Sequence, residues 1–293
     1  MVTMELKEKL LESFFFICGI SAIIILLAIT LFIALTGLQF FQNVSLFEFF
    51  KPEWNPTIKP PKWGALALFA GTFYIAAIAM AISIPTGLML AIYMSEVASP
   101  PVRENLKPVI ESIAGIPTVV LGLFGIIFLA PYLSSLLNIP FALNALNAGI
   151  LVGFLAIPTI ASISEDVLGS IPNDFRHASE GLGATKWQTI VRVVLPAGMG
   201  GIFASIMLAL GRVVGETMVV LMVAGMVRAF PKSILDPVSP VTATIASELP
   251  ETVVGDLHYQ GLFALGLVLF IITFIINLLA DIVLERYKRR FGR

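Results

Sequence analysis

Charge is what this sequence has least of. Of its 293 residues only 13% are Asp, Glu, Lys or Arg and 58% are hydrophobic, where a soluble domain carries about 25% charged residues. The mean hydropathy is +0.96, and a single water-soluble globular domain is excluded. The deficit is concentrated, because Ser13 to Phe47, Trp63 to Ser95, Ser112 to Ser164 and Leu257 to Ala280 contain none of the four charged types. A helix crosses a hydrocarbon core of roughly 30 Å with about 20 apolar residues. The 53 residues from Ser112 to Ser164 therefore hold two crossings. Cysteine is nearly absent as well: Cys18 is alone, which excludes an internal disulfide framework and any Cys-based zinc cluster. It lies in the first apolar run and reads as a small hydrophobe. A net charge of −1 leaves no cationic excess with which to track nucleic acid. No G-x-x-x-x-G-K-[ST] loop occurs, so the chain has no P-loop ATP site of its own. It has no fixed-period repeat and no low-complexity tract.

What is present is a set of apolar runs separated by charged or Pro-rich segments. They predict an all-α membrane protein, a single transmembrane domain over 1–293 with six spans at about 13–38, 64–94, 110–131, 147–170, 198–227 and 258–284. The first run follows Lys7 and Lys9, lasts about 26 residues and lacks an A-x-A-type cleavage site, which predicts a retained span rather than a removed leader. Residues 39–63 mix Pro52, Pro56, Pro60 and Pro61 with Trp54 and Trp63 and read as an ordered external loop. Tyr132 to Asn147 reads as a short hairpin between two spans. With both termini cytoplasmic, the inner side holds Lys7, Lys9, Arg103, Lys107, Arg176, Lys186, Arg192, Arg286, Lys288, Arg289, Arg290 and Arg293. The outer side holds only Lys51, Lys59, Lys62, Arg228 and Lys232. The positive-inside bias predicts that orientation, in a plasma membrane.

Residues 171–196 form a polar loop between the fourth and fifth spans that predicts two short helices. Asn173 is placed to cap the first, with Asp174 in its first turn and Gly181 or Gly183 ending it. Thr185 caps the second, with Gln188 completing a capping box, and Pro196 stops it or turns the chain into the next span. Phe175, Ala178, Ser179 and Leu182 share one face of the first helix, and Trp187, Ile190, Val191 and Val194 one face of the second. Such one-sided helices suit docking onto a partner or onto the membrane surface. The spacing His177-Ala178-Ser179, three residues, Gly183, nine residues, Val193, one residue, Leu195-Pro196 resembles the EAA loop of ABC-importer permeases. The resemblance implies a coupling helix that fits a cleft on a cytoplasmic ATPase subunit, carried by His177, Ala178, Ser179, Gly183, Thr185, Leu195 and Pro196. His177 stands where that pattern has Glu and Ser179 where it has the second Ala. Gly183 is placed in an interhelical turn too tight for a bulky side chain.

The fifth span carries Arg212 and Glu216, four residues apart in LALGRVVGETMVVLM. On a continuous helix this spacing puts both on one face as an ion pair. Ionisable groups in a bilayer cost about 3 to more than 10 kcal/mol and therefore face a bundle interior or a wet cavity. Arg offers a planar, permanently charged fork of donors matched to tetrahedral oxyanions. Glu216 would neutralise it between anions, and Thr217, Thr118 and Ser162 are candidate neutral donors. Gly211 to Met218 (GRVVGETM) resembles the fifth-span signature of phosphate-specific (Pst) permeases, the C-type subunit more than the A-type. Glu111 to Gly125, Thr242 to Glu248 and His258 to Asn277 agree with it. The resemblance runs from about Phe47 onward. It implies a type I ABC-importer permease (MetI-like) working by alternating access: a second, A-type permease subunit, two copies of a P-loop ATPase that uses the ATP, and an external phosphate-binding protein. Arg212, Glu216 and Thr217 then lie on the substrate path, and no cofactor or metal is called for in this chain. Two readings compete: a self-contained, ion-coupled secondary anion transporter, and an ABC permease for another oxyanion such as sulfate. A structural scaffold would leave the intramembrane charges without a role.

Overall fold

The computed structural model describes the backbone of residues 2–291 and the side chains of residues 11–282 and of Glu285. Lys7, Lys9, Arg286, Lys288, Arg289, Arg290 and Arg293, on which the expected orientation partly rests, lie outside the described side chains. The chain opens with α1 (Val2–Phe40), whose residues 11–29 are exposed on every side. A helix that is apolar all round and uncovered by its own chain has hydrocarbon, not water, as its solvent. It meets the rest of the fold near its end, where Phe32 packs edge to face on Phe263.

The loop after α1 is ordered by its aromatics. Ser45 caps the one-turn helix α2 (Leu46–Phe49), accepting a hydrogen bond from the Glu48 amide. Strands β1 (Trp54–Asn55) and β2 (Lys62–Trp63) pair antiparallel, with Trp54 opposite Trp63. Phe40, Phe49, Trp54 and Trp63 are all buried and meet edge to face at 5.4 to 5.9 Å, the arrangement that aromatic quadrupoles favour. The indole nitrogen of Trp54 donates to Glu248, on which His258 and Arg228 also converge. His258 thus belongs to the loop side, away from His177.

Two long helices make the core, α3 (Leu66–Ile92) and α7 (Ala145–Gly169). They approach closely at Gly153, where an added Cβ would lie 3.0 Å from the Ala79 carbonyl oxygen, as small residues permit in membrane bundles. Asn144 caps α7 by accepting from the Asn147 amide. Between them lie α4 (Pro100–Ala114), α5 (Thr118–Phe124) and α6 (Ala130–Leu137). The expected third span 110–131 is therefore corrected. Gly115 to Pro117 interrupts the helix, residues 110–114 finish the charged helix α4, and the apolar crossing runs from Thr118 to Leu137. Pro117 cannot donate an amide to the preceding turn, so the chain restarts there.

After α7 come α8 (Asn173–Gly181), α9 (Lys186–Thr189), α10 (Leu195–Gly215), α11 (Met218–Val223), α12 (Val241–Glu248) and α13 (Leu257–Phe291). Single π turns at Tyr93–Val97, Gly125–Leu129 and Ile190–Val194 extend α3, join α5 to α6 and join α9 to α10. Among the described residues six helical stretches are long and apolar enough to cross a membrane: Leu11–Phe40, Leu66–Val97, Thr118–Leu137, Ala145–Gly169, Lys186–Gly215 and Leu257–Ile282. The fifth differs from the expected 198–227 at both ends. It begins earlier, because the π turn carries α9 into α10, and it breaks at Gly215.

Candidate functional site

The break after Gly215 decides how the intramembrane charges are used. Glu216 is extended (φ −64°, ψ 131°), and its Oε1 accepts the amides of Thr217 at 3.1 Å and Val219 at 3.2 Å, so it caps α11. Thr217 Oγ1 donates to the Gly215 carbonyl, and Thr242 Oγ1 donates to the Glu216 carbonyl at 2.7 Å. The Thr217 and Val219 amides and the Gly215 and Glu216 carbonyls, freed by the break, are thereby satisfied inside the protein, as irregular chain at membrane depth requires. The expected Arg212–Glu216 ion pair needs a continuous helix through 216. Among the described residues it is not formed.

Arg212 lies about 25 Å along the helix from Leu195. Its Nη1 donates one long hydrogen bond, 3.4 Å, to Thr159 Oγ1 on α7. With Thr159, Asn277 and Asp281 of α13 it lines a cavity of about 580 Å³ whose walls include Met207, Leu208 and Gly211. A guanidinium, a hydroxyl and an amide supply donors to that space, and one carboxylate supplies an acceptor. Thr118 and Ser162 are not among its lining residues, and Ser162 donates instead to Glu111 at 3.2 Å. Asp281 was the signal missed. It closes the last charge-free interval yet falls inside the expected sixth span, where an ionisable side chain is a functional candidate by default.

The loop between α7 and α10 forms the two expected helices with four corrections. Pro172, not Asn173, occupies the N-cap of α8; Asn173 is its first helical residue and accepts from Arg176 instead. Pro196 does not stop the second helix but lies in the first turn of α10. It has no amide to give the Arg192 carbonyl, and the π turn Ile190–Val194 takes up the mismatch. That turn also splits the expected apolar face, burying Ile190 and Val194 against the bundle and leaving Trp187 and Val191 exposed. The Thr185 capping box forms with Gln188. Gly183 adopts φ +86°, and a Cβ there would meet nothing within 4 Å. The glycine is required by backbone conformation rather than by lack of room.

The outer surface of this loop presents large apolar side chains, Leu182 91% and Trp187 64% exposed beside exposed Phe175 and Val191, among exposed charges such as Asp174, Glu180, Lys186 and Arg192. His177 and Ala178 are exposed, and Leu195 is half-buried. Ser179, which stands where the EAA pattern has Ala, hydrogen-bonds Thr189 Oγ1 at 2.9 Å and ties α8 to α9. Beneath the loop the charges are paired. Arg176 binds Glu96 through Nη2 at 2.6 Å and Nε at 3.2 Å, and also donates to the carbonyls of Ile171 and Leu168. Glu165, fully buried on α7, meets Arg103 and Lys107 of α4, and Lys107 also reaches Asp166. The hydrogen bonds to Asp166 and Glu165 hold the Lys107 ammonium above the ordinary lysine range.

Comparison with known proteins adds independent findings. Residues 83–293 match the family model described as binding-protein-dependent transport system inner membrane component. The probable ABC transporter permease protein YqgH of Bacillus subtilis is 35% identical over 274 residues, covering 92% of this chain and 89% of that protein. The phosphate transport system permease protein PstC of Mesorhizobium japonicum is 36% identical over 266 residues, covering 84% and 80%. The PstC of Xylella fastidiosa is 31% identical over 311 residues, covering 98% and 95%. Among solved structures, a bacterial ABC transporter involved in the import of the acidic polysaccharide alginate superposes with TM-score 0.64 at 16% identity, over 90% of this chain and 92% of that one. The inward-facing MetNI methionine ABC transporter superposes with TM-score 0.55 at 19% identity, over 76% and 94%. At such identities the likeness concerns the fold alone.

Proposed function

This chain belongs to the binding-protein-dependent transport system inner membrane components and has the all-α, six-span architecture of type I ABC-importer permeases; from that premise we propose that it is the C-type permease subunit of an ATP-driven importer of inorganic phosphate. It is a multi-pass membrane protein. Its partners are an A-type permease subunit, two copies of a P-loop ATPase that hydrolyses the ATP, and an external phosphate-binding protein. It sits in the plasma membrane with both termini cytoplasmic and needs no cofactor of its own. Loading from outside and release inside follow by alternating access.

The observation that carries this reading is Arg212, a guanidinium in the last turn of the fifth span, exposed to a cavity with room for a tetrahedral anion and holding, among the described residues, one long hydrogen bond. A permanently charged planar fork suits an oxyanion, and Thr159 and Asn277 supply neutral donors beside it. Asp281 takes the part first given to Glu216: it offsets the Arg212 charge between anions and accepts from a protonated phosphate oxygen. Glu216 and Thr217 serve the path by holding the helix break that lets the chain turn beside it. The exposed Phe175, Leu182, Trp187 and Val191 surface is the seat for the ATPase.

The test is phosphate uptake by the full importer in proteoliposomes. Arg212→Ala is expected to abolish uptake while leaving the complex assembled. Unchanged uptake, or uptake driven by a proton gradient without ATP, would overturn the reading.

A further inference from the structure

A loop that merely carries a docking surface would transmit nothing if it could swing freely. In α8 no side chain is buried, so apolar packing does not anchor that helix to the bundle. What reaches inward from it is Arg176, whose side chain is 16% exposed against a Glu96 that is 6% exposed. Glu96 lies on the π turn that ends α3, and Leu168 and Ile171 lie at the end of α7. One planar group therefore joins three elements: two nitrogens on the carboxylate, and one donation each to the Leu168 carbonyl in the last turn of α7 and the Ile171 carbonyl just beyond it. Nine residues back along α7 from Leu168, about 13 Å, stands Thr159, the hydrogen-bond partner of Arg212.

We propose that Arg176 is a positioning residue for energy coupling, the pin through which displacement of α8 by its partner is delivered to α3 and α7 and so to the Arg212 cavity. The proposal rests on the ABC-importer reading above. Without the pin, the short segment 170–172 would flex and absorb the displacement. Lysine cannot replace it, because a single ammonium has no planar fork to hold a carboxylate side-on while also reaching two carbonyls. The neighbouring network of Glu165 with Arg103 and Lys107 fastens α4 to α7, so a push at Arg176 moves these helices as one block.

The experiment uses the complete importer, with both permeases, the ATPase and the external binding protein, in proteoliposomes, reading phosphate moved per ATP hydrolysed. Arg176→Gln, Arg176→Lys and Glu96→Gln are each expected to lower that ratio at least tenfold, with the ATPase still co-purifying. An unchanged ratio overturns the proposal, even if both rates fall together. Loss of the ATPase from all three variants also overturns it, because the pair would then only fold the loop. The underlying reading fails separately: wild-type complex that moves no phosphate with ATP refutes it whatever Arg176 does.

Discussion

The end of this protein that carries the α8–α9 loop and the middle of its membrane domain treat charge in opposite ways. Beneath the loop, Arg176 donates to a carboxylate and to two carbonyls, and the fully buried Glu165 is flanked by two cations. In the cavity, Arg212 holds one hydrogen bond of 3.4 Å. A charge saturated by fixed partners is a fastener, since removing a partner leaves a buried group unsatisfied. A charge left under-satisfied beside open space keeps its donors for something that arrives and leaves. On the proposed reading, the same residue type fixes structure at one level of the protein and takes up a ligand at another.

Substitutions break or sharpen that contrast, the largest effect first. Arg212→Ala is expected to lower phosphate uptake at least a hundredfold, about 3 kcal/mol, with thermal stability unchanged in detergent; a matching loss of stability would make Arg212 a fastener too. Glu165→Ala should do the reverse, lowering stability by about 2–3 kcal/mol, read as a fall in unfolding temperature. The turn at Gly183 offers a third comparison. Because φ +86° and not crowding selects glycine, Gly183→Ala and Gly183→Leu should each cost about 1 kcal/mol and weaken ATPase co-purification alike; a much larger effect from Leu would restore bulk as the reason. The smallest effect is in pH. With its pKa raised in the fold, Lys107 contributes fully below the ordinary lysine value of 10.5 and fades as pH rises through the higher folded value. Stability attributable to Lys107, measured against Lys107→Met, should therefore be constant from about pH 6 to pH 9.

Much of this was legible in the sequence because it is local or compositional. Charge-free runs mark crossings regardless of tertiary context, the Thr185 capping box needs only Gln188 three residues away, and Arg212 is conspicuous among apolar neighbours. What escaped depends on distant partners. The break at Glu216 is held by Thr242, 26 residues on, while Val213 to Met218 reads as ordinary helix. Glu96 stands 80 residues from Arg176 and Thr159 lies 53 from Arg212, separations that no periodicity encodes. Gly183 was found for the wrong reason, since a sequence shows a glycine but not whether conformation or space demands it.

The π turn at Ile190–Val194 changes how residue number converts to direction. In a regular helix each residue turns the chain by about 100°, so counting from Thr185 would aim Arg212 at a compass bearing one residue too far round. The turn absorbs that extra step before α10 begins. Shortening the chain by one residue within 190–194 removes slack and leaves the bearing of Arg212 nearly unchanged, whereas the same deletion in the regular body of α10 swings the guanidinium away from Thr159, a difference that phosphate uptake by the two deletions would register.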